Sequence, residues 1–138
     1  AKAYLREAFP PGSHASTFGG NPIVTTAIIA TLETMQEERI PEHVAEMGEY
    51  LTGLLKETFK DEPFVQEVRG KGLLIGIQCA GPVGDIVLLG QQHGLLFVTA
   101  GPEVIRLLPN LKVSKEEIDQ AVAILADVIA AYTSKEGN

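Results

Sequence analysis

The sequence is poor in cysteine, in aromatic residues and in positive charge. Cys79 is its one cysteine, so no internal disulfide and no multi-cysteine zinc site is available. Tryptophan is absent and aromatic residues make up 6%, so any core must be aliphatic. Lys and Arg number 11 against 18 Asp and Glu, a net charge of -7. A chain of that sign repels phosphate backbones, which argues against nucleic-acid binding. No apolar run approaches the ~20 residues that span a bilayer as a helix, and no signal-peptide apolar segment stands at the start. What is there is 138 residues, 45% hydrophobic and 21% charged. That is the composition and size of one globular domain with room for a core.

The pattern along the chain predicts an α+β sandwich: one antiparallel-rich sheet with helices packed on it. Residues 1–9 read as a short helix stopped by Pro10-Pro11-Gly12. A polar, glycine-rich loop follows, and Asn21-Pro22 supplies an N-cap and a first-turn proline for a helix running to about Arg39. The first half of that helix is apolar nearly all round, so it expects partners on more than one side. Pro41 opens a second helix with Val44, Met47, Leu51, Leu54, Leu55 and Thr58 as its buried stripe. Phe64–Arg69 and Leu73–Cys79 read as a hairpin turned at Gly70-Lys71-Gly72. A shorter helix is expected over 83–92, then strands over 95–99 and 104–108. Ser114 and Glu117 form a capping box that opens the last helix, with Ile118, Val122, Leu125, Ile129 and Tyr132 inward and the tail after Thr133 fraying.

Few residues have the means for chemistry. The histidines are His14, His43 and His93, and neither they nor Cys79 show metal-ligand spacing. Gly70-Lys71-Gly72 leads into a strand and not a helix, so it lacks the context of a phosphate loop. The stretch Ser16-Thr17-Phe18-Gly19-Gly20-Asn21-Pro22 is different, because two hydroxyls and two glycines directly precede a helix N-terminus. That is either an anion site or an ordinary capped loop. Arg106 interrupts the apolar strand Val104-Ile105-Arg106-Leu107-Leu108. By alternation it faces away from Ile105 and Leu107, either onto a solvated sheet face or toward a carboxylate gripped by its guanidinium.

Three motifs in order carry a resemblance. His14-Ala15-Ser16-Thr17-Phe18-Gly19-Gly20-Asn21-Pro22 resembles the H-G-S-T-F-G-G-N-P signature of class III pyridoxal-phosphate aminotransferases. Val68-Arg69-Gly70-Lys71-Gly72-Leu73-Leu74-Ile75-Gly76 is similar to that family's V-R-G-K-G-L-M-L-G. Gly101–Pro109, followed by Ser114–Asp119, resembles its C-terminal G-N-V-I-R-L-L-P-P-L…EEID. The departures, Ala15 for a glycine and Asn110 for a second proline, remove no functional side chain.

The resemblance implies a fold-type I enzyme, cytoplasmic and homodimeric, that moves an amino group between small amino-acid and 2-oxo-acid substrates with pyridoxal 5'-phosphate. It implies that Thr17, helped by Ser16, holds the cofactor phosphate, in the active site of the partner subunit. It implies that Arg106 binds a substrate carboxylate. It also implies a division in which 1–20 is the tail of a large cofactor-binding domain, with the phosphate loop at 13–20. Residues 21–40 are then a linking helix, and 41–138 the C-terminal small domain. None of the seven lysines stands in the A-K-x-L/A-x-G-G context of the family's cofactor-linking lysine. The expectation is therefore that the chain, which starts at Ala1 without Met, is the C-terminal part of a longer protein. It holds no catalytic residue and is inactive alone. The competing reading is a non-catalytic α+β ligand-binding or dimerisation module. Arg69, Lys71 and His14 have no derived role.

Overall fold

The computed structural model describes residues 3–8, 10 and 12–136. Part of the expected stop at 10–12 (Pro11) lies outside the described residues, as do Phe9 and the last two positions. The chain divides into two compact units, 1–38 and 39–138.

The first unit holds a 3-10 helix, Ala3–Ala8, within the stretch 1–9 where a short helix is expected. It also holds helix α1, Pro22–Glu37. α1 starts where the sequence predicts, because Asn21 is extended (φ -69, ψ 161) and its side chain accepts from the Val24 amide. No residue of α1 is buried. Ile23, Val24, Ile28, Ile29 and Leu32 are exposed.

The second unit carries the core. Its elements are α2 (Ile40–Thr58), β1 (Val65–Lys71), β2 (Leu74–Cys79), α3 (Gly84–Gln92), β3 (Val98–Thr99), β4 (Val104–Leu107) and α4 (Lys115–Glu136). The strands form one sheet in the order β1-β2-β4-β3, antiparallel throughout. This is the α+β architecture expected from the pattern. α2 packs on β1 and on α4, α3 packs on α4, and together they cover one face of the sheet.

Alternation decides which face is covered. Val68, Ile75, Ile77, Cys79 and Ile105 are buried on the helix side, joined by Leu73 from the hairpin turn. Met47, Leu51 and Leu55 from α2 meet them, as do Ile118, Val122, Leu125 and Ile129 from α4. Each such aliphatic side chain contributes about 1.5–3 kcal/mol by leaving water. Thr58, expected in the α2 stripe, is exposed, and Val44 and Leu54 are half-buried. Ile40 and Gly48 take buried places instead.

The hairpin turn differs from expectation. β1 continues through Gly70 to Lys71, which pairs with Leu74, so the loop is only Gly72-Leu73. Gly72 has φ +55, the conformation that a two-residue hairpin loop asks of its first position and that glycine meets without strain. α2 lies directly over this turn: a Cβ on Gly48 would sit 2.4 Å from the Gly72 carbonyl oxygen. β3 is shorter than expected. Phe97 is buried but Leu96 is fully turned out, so only Val98-Thr99 pairs with β4. α4 runs to Glu136, beyond the expected fraying point at Thr133. Its start is the capping box: the Ser114 amide and hydroxyl donate to Glu117 Oε2 at 2.8 and 3.0 Å, and the Glu117 amide donates to Ser114 Oγ at 3.2 Å.

Candidate functional site

The first candidate is the loop that leads into α1. The Ser16 Oγ accepts from the Gly19 amide at 2.9 Å, closing a tight turn. A Cβ on Gly19 would lie 2.9 Å from the Ser16 Cβ, so glycine is required at this position. Asn21 fastens the other end, donating to the Phe18 carbonyl at 2.5 Å and accepting from the Val24 amide at 3.0 Å. That capping narrows the anion site expected from the sequence. Pro22 has no amide hydrogen, and the Val24 and Thr25 amides are taken by Asn21. Among the first helix amides that leaves Ile23, and in the loop the Thr17 hydroxyl, the Ser16 hydroxyl hydrogen and the amides of Thr17, Phe18 and Gly20 have no acceptor among the described residues. Thr17 has no hydrogen-bond partner among the described residues. No acidic residue occurs between Glu7 and Glu33, so the loop itself carries no charge that opposes an anion.

The second candidate is the uncovered sheet face. Arg106 on β4 pairs with Gly76 on β2 and with Val98 on β3, and Gly76 pairs with Arg69 on β1. Cross-strand partners point to the same side. Arg69, Gly76, Arg106 and Val98 therefore form one row across all four strands, on the side away from the core. Lys71, Leu74, Gln78 and Val104 share that side by alternation.

The cations on it are not equivalent. Arg69 donates to Glu67 Oε2 at 2.7 Å and to Gln78 Oε1 at 3.4 Å, and Gln78 in turn donates to Glu103 Oε2 at 3.4 Å. Arg106 and Lys71 have no ion-pair or hydrogen-bond partner among the described residues. A depression of about 430 Å³ lies between them, lined by Arg69, Lys71, Leu74, Gly76, Val104 and Arg106. A second, of similar size, flanks Arg106 on the β3 side, against Gln91, Phe97 and Leu108. An exposed, unpaired guanidinium with open space on both sides is free to take a carboxylate in a two-point grip.

The two candidates lie in different units, Ser16 and Thr17 in the first and Arg106 in the second. The remaining titratable groups serve the scaffold. His43 reaches from α2 to the Val113 carbonyl at 3.0 Å, a tie that a solvated or dipole-placed histidine would not make. His93 is the exposed C-cap of α3. Tyr50 donates to Asp119 at 2.6 Å, and that bond holds its phenol above the ordinary value. Lys115 joins Glu46 at 3.1 Å and lies over the Tyr50 ring, so α2 and α4 are bridged on their outer side. No cluster that could hold a metal ion occurs among the described residues. None of their helices is long and apolar enough to cross a membrane.

Sequence reasoning singled out Arg106 but left Arg69 and Lys71 without a role, and gave Gly76 none. Alternation within a strand gives the side each residue faces. It does not give the register that sets Arg69, Gly76 and Arg106 in one row.

Comparisons with known proteins agree on one family. The profile described as aminotransferase class-III matches residues 1–129. The acetylornithine aminotransferase of Bacillus subtilis is 47% identical over 133 residues, covering 96% of this chain and 34% of that protein. An ornithine aminotransferase of an Exiguobacterium species is 42% identical over 126 residues, covering 91% and 31%. Among solved structures, the ornithine delta-aminotransferase of Plasmodium falciparum superposes with a TM-score of 0.85 at 31% identity, over 98% of this chain and 36% of its own. The acetylornithine aminotransferase of Elizabethkingia anophelis gives 0.78 at 28% identity, over 91% and 34%. The chain thus spans about a third of the length of the relatives it matches.

Proposed function

The chain belongs to the class III aminotransferase family, and from that premise we propose that the protein containing it transfers an amino group from N-acetylornithine to 2-oxoglutarate, as a homodimer carrying pyridoxal 5'-phosphate. The observation that carries this reading is the unpaired Arg106 on the uncovered sheet face, with open space on either side. An acidic chain that leaves a guanidinium without an internal partner leaves it available to an anion from outside.

The loop fits the phosphate end of the cofactor. Its donors are two hydroxyls and several backbone amides, its glycines permit close approach, and the segment from 8 to 32 carries no carboxylate of its own. Ser16 and Thr17 would hold the phosphate through their hydroxyls, beside loop amides that Asn21 does not occupy. When bound, the cofactor supplies the electron sink for amino-group transfer. Arg106 binds and orients: it fixes the substrate by a carboxylate and so limits which substrate bonds can be presented. The lysine that would link the cofactor is not among the seven in this chain, and the 138 residues alone are proposed to be inactive.

N-acetylornithine is favoured as donor because several of the similar curated relatives carry it in their names. A second reading, ornithine as donor, is favoured by the several ornithine aminotransferases among the similar structures. The test uses the longer protein loaded with pyridoxal phosphate. Glutamate formed from 2-oxoglutarate is measured with N-acetylornithine, ornithine and 4-aminobutyrate as donors. A kcat/KM highest for N-acetylornithine is expected, and one highest for ornithine selects the second reading. Arg106→Ala should weaken the carboxylate substrates by about 2–4 kcal/mol, and unchanged constants would overturn its assignment.

A further inference from the structure

Gly76 is a glycine that this fold does not require. It lies inside β2, the strand flanked by β1 and β4, where glycine forgoes packing and adds backbone entropy to the unfolded chain. Glycine is usually kept in a strand for a positive φ or for a close approach by neighbouring atoms. Gly76 is not among the positive-φ glycines. A Cβ built on it would meet the Val104 Cγ1 at 3.4 Å and the Arg69 carbonyl oxygen at 3.9 Å, both ordinary contacts. Gly48, Gly70 and Gly90 are different, since a Cβ on each would come within 2.3–2.4 Å of another atom.

What distinguishes Gly76 is its place. It is the direct cross-strand partner of Arg106 and of Arg69, on the uncovered face, at the floor of the depression of about 430 Å³. A side chain there would rise into the space beside the Arg106 guanidinium. We propose that Gly76 is a specificity-determining position: its missing side chain keeps clear the room in which the carbon skeleton of an amino-acid or 2-oxo-acid substrate lies while Arg106 holds its carboxylate. This rests on the reading of Arg106 given above.

The test uses the longer protein with its cofactor, in Gly76→Ala, Gly76→Val and Arg106→Ala forms, with 2-oxoglutarate as the varied substrate. Valine suits a strand, so far-UV circular dichroism of Gly76→Val should match the parent. Its KM for 2-oxoglutarate should rise about 10- to 100-fold, the range that one misplaced aliphatic group commands in a substrate pocket, with Gly76→Ala in between. Should the valine form not fold, the alanine form, which meets only ordinary contacts, decides alone. Parental KM in the folded variants overturns the proposal. So does a loss of assembly or of cofactor retention with KM unchanged, since the glycine would then serve a backbone neighbour. If Arg106→Ala raises KM and neither glycine variant does, only this inference fails. If Arg106→Ala also leaves KM unchanged, the reading of Arg106 fails with it.

Discussion

Raising the pH should draw from Cys79 a loss of stability of the sheet domain whose size the structure sets. Cys79 ends β2 with 1% of its surface exposed. Its thiol makes a weak contact with the Ile77 carbonyl, 3.7 Å from the sulfur. Burial pushes the thiol up from 9.0 to about 11, because a thiolate there would lose its water without gaining a cation. In the unfolded chain the thiol ionises near 9.0. Between the two values the folded state holds a proton that the unfolded state has released, so stability falls as pH rises. At about pH 8 and below the thiol is neutral in both states and the effect is absent. At 1.36 kcal/mol per pH unit, the loss accumulated by pH 11 is about 2–3 kcal/mol.

The assay is urea unfolding of the protein and of Cys79→Ala, under reducing conditions, at steps from pH 8 to pH 11. Lysines and tyrosines also titrate in that window, but they are common to both proteins and cancel in the difference. The alanine variant carries a constant offset from its lost sulfur. The difference between the proteins should therefore be flat at about pH 8 and shift toward the variant as the pH rises through 9.0. A difference that stays constant across the window would refute the account of Cys79 as a buried neutral thiol.

Three further outcomes follow from the scaffold. Ser114→Ala removes the cap of α4 and should cost about 1 kcal/mol, read as a lower melting temperature. The bonds from the Ser114 amide and hydroxyl hold the Glu117 carboxyl below its ordinary value of 4.5. Its contribution is thus complete above that pH and is lost as pH falls through the lowered value. Glu117→Gln should flatten that acid limb of the stability curve, and an unchanged limb would count against the capping box. Gly48→Ala drives a methyl to within 2.4 Å of the Gly72 carbonyl oxygen. The atoms it meets are backbone and cannot swing aside, so α2 and the hairpin must separate. A destabilisation of about 1–3 kcal/mol is expected by denaturant unfolding, although alanine is the better helix former.

The local elements were legible because their causes are local. Asn21-Pro22 starts α1, Ser114 with Glu117 starts α4, and alternation assigns Ile75, Ile77 and Cys79 to one face. The motifs carried the family, and they singled out Ser16, Thr17 and Arg106 by residue type and position. Where local pattern misled, a contact from elsewhere in the chain was the reason. Gly70-Lys71-Gly72 looks like a three-residue turn, yet pairing of Lys71 with Leu74 draws two of its residues into the strand. The run at 95–99 looks like a full strand, yet only Val98 and Thr99 reach the β4 edge.

The sequence by itself determined composition, charge, the aliphatic core and the side of the sheet each strand residue faces. These depend on residue type and on a period of two. Only the tertiary structure decided the register that lines up Arg69, Gly76 and Arg106, because register depends on which strands meet and where their turns close. It also decided that Arg106 and Lys71 go unpaired among the described residues while Arg69 is held by Glu67. An ion pair is a matter of distance between side chains, and separation along the chain does not report it.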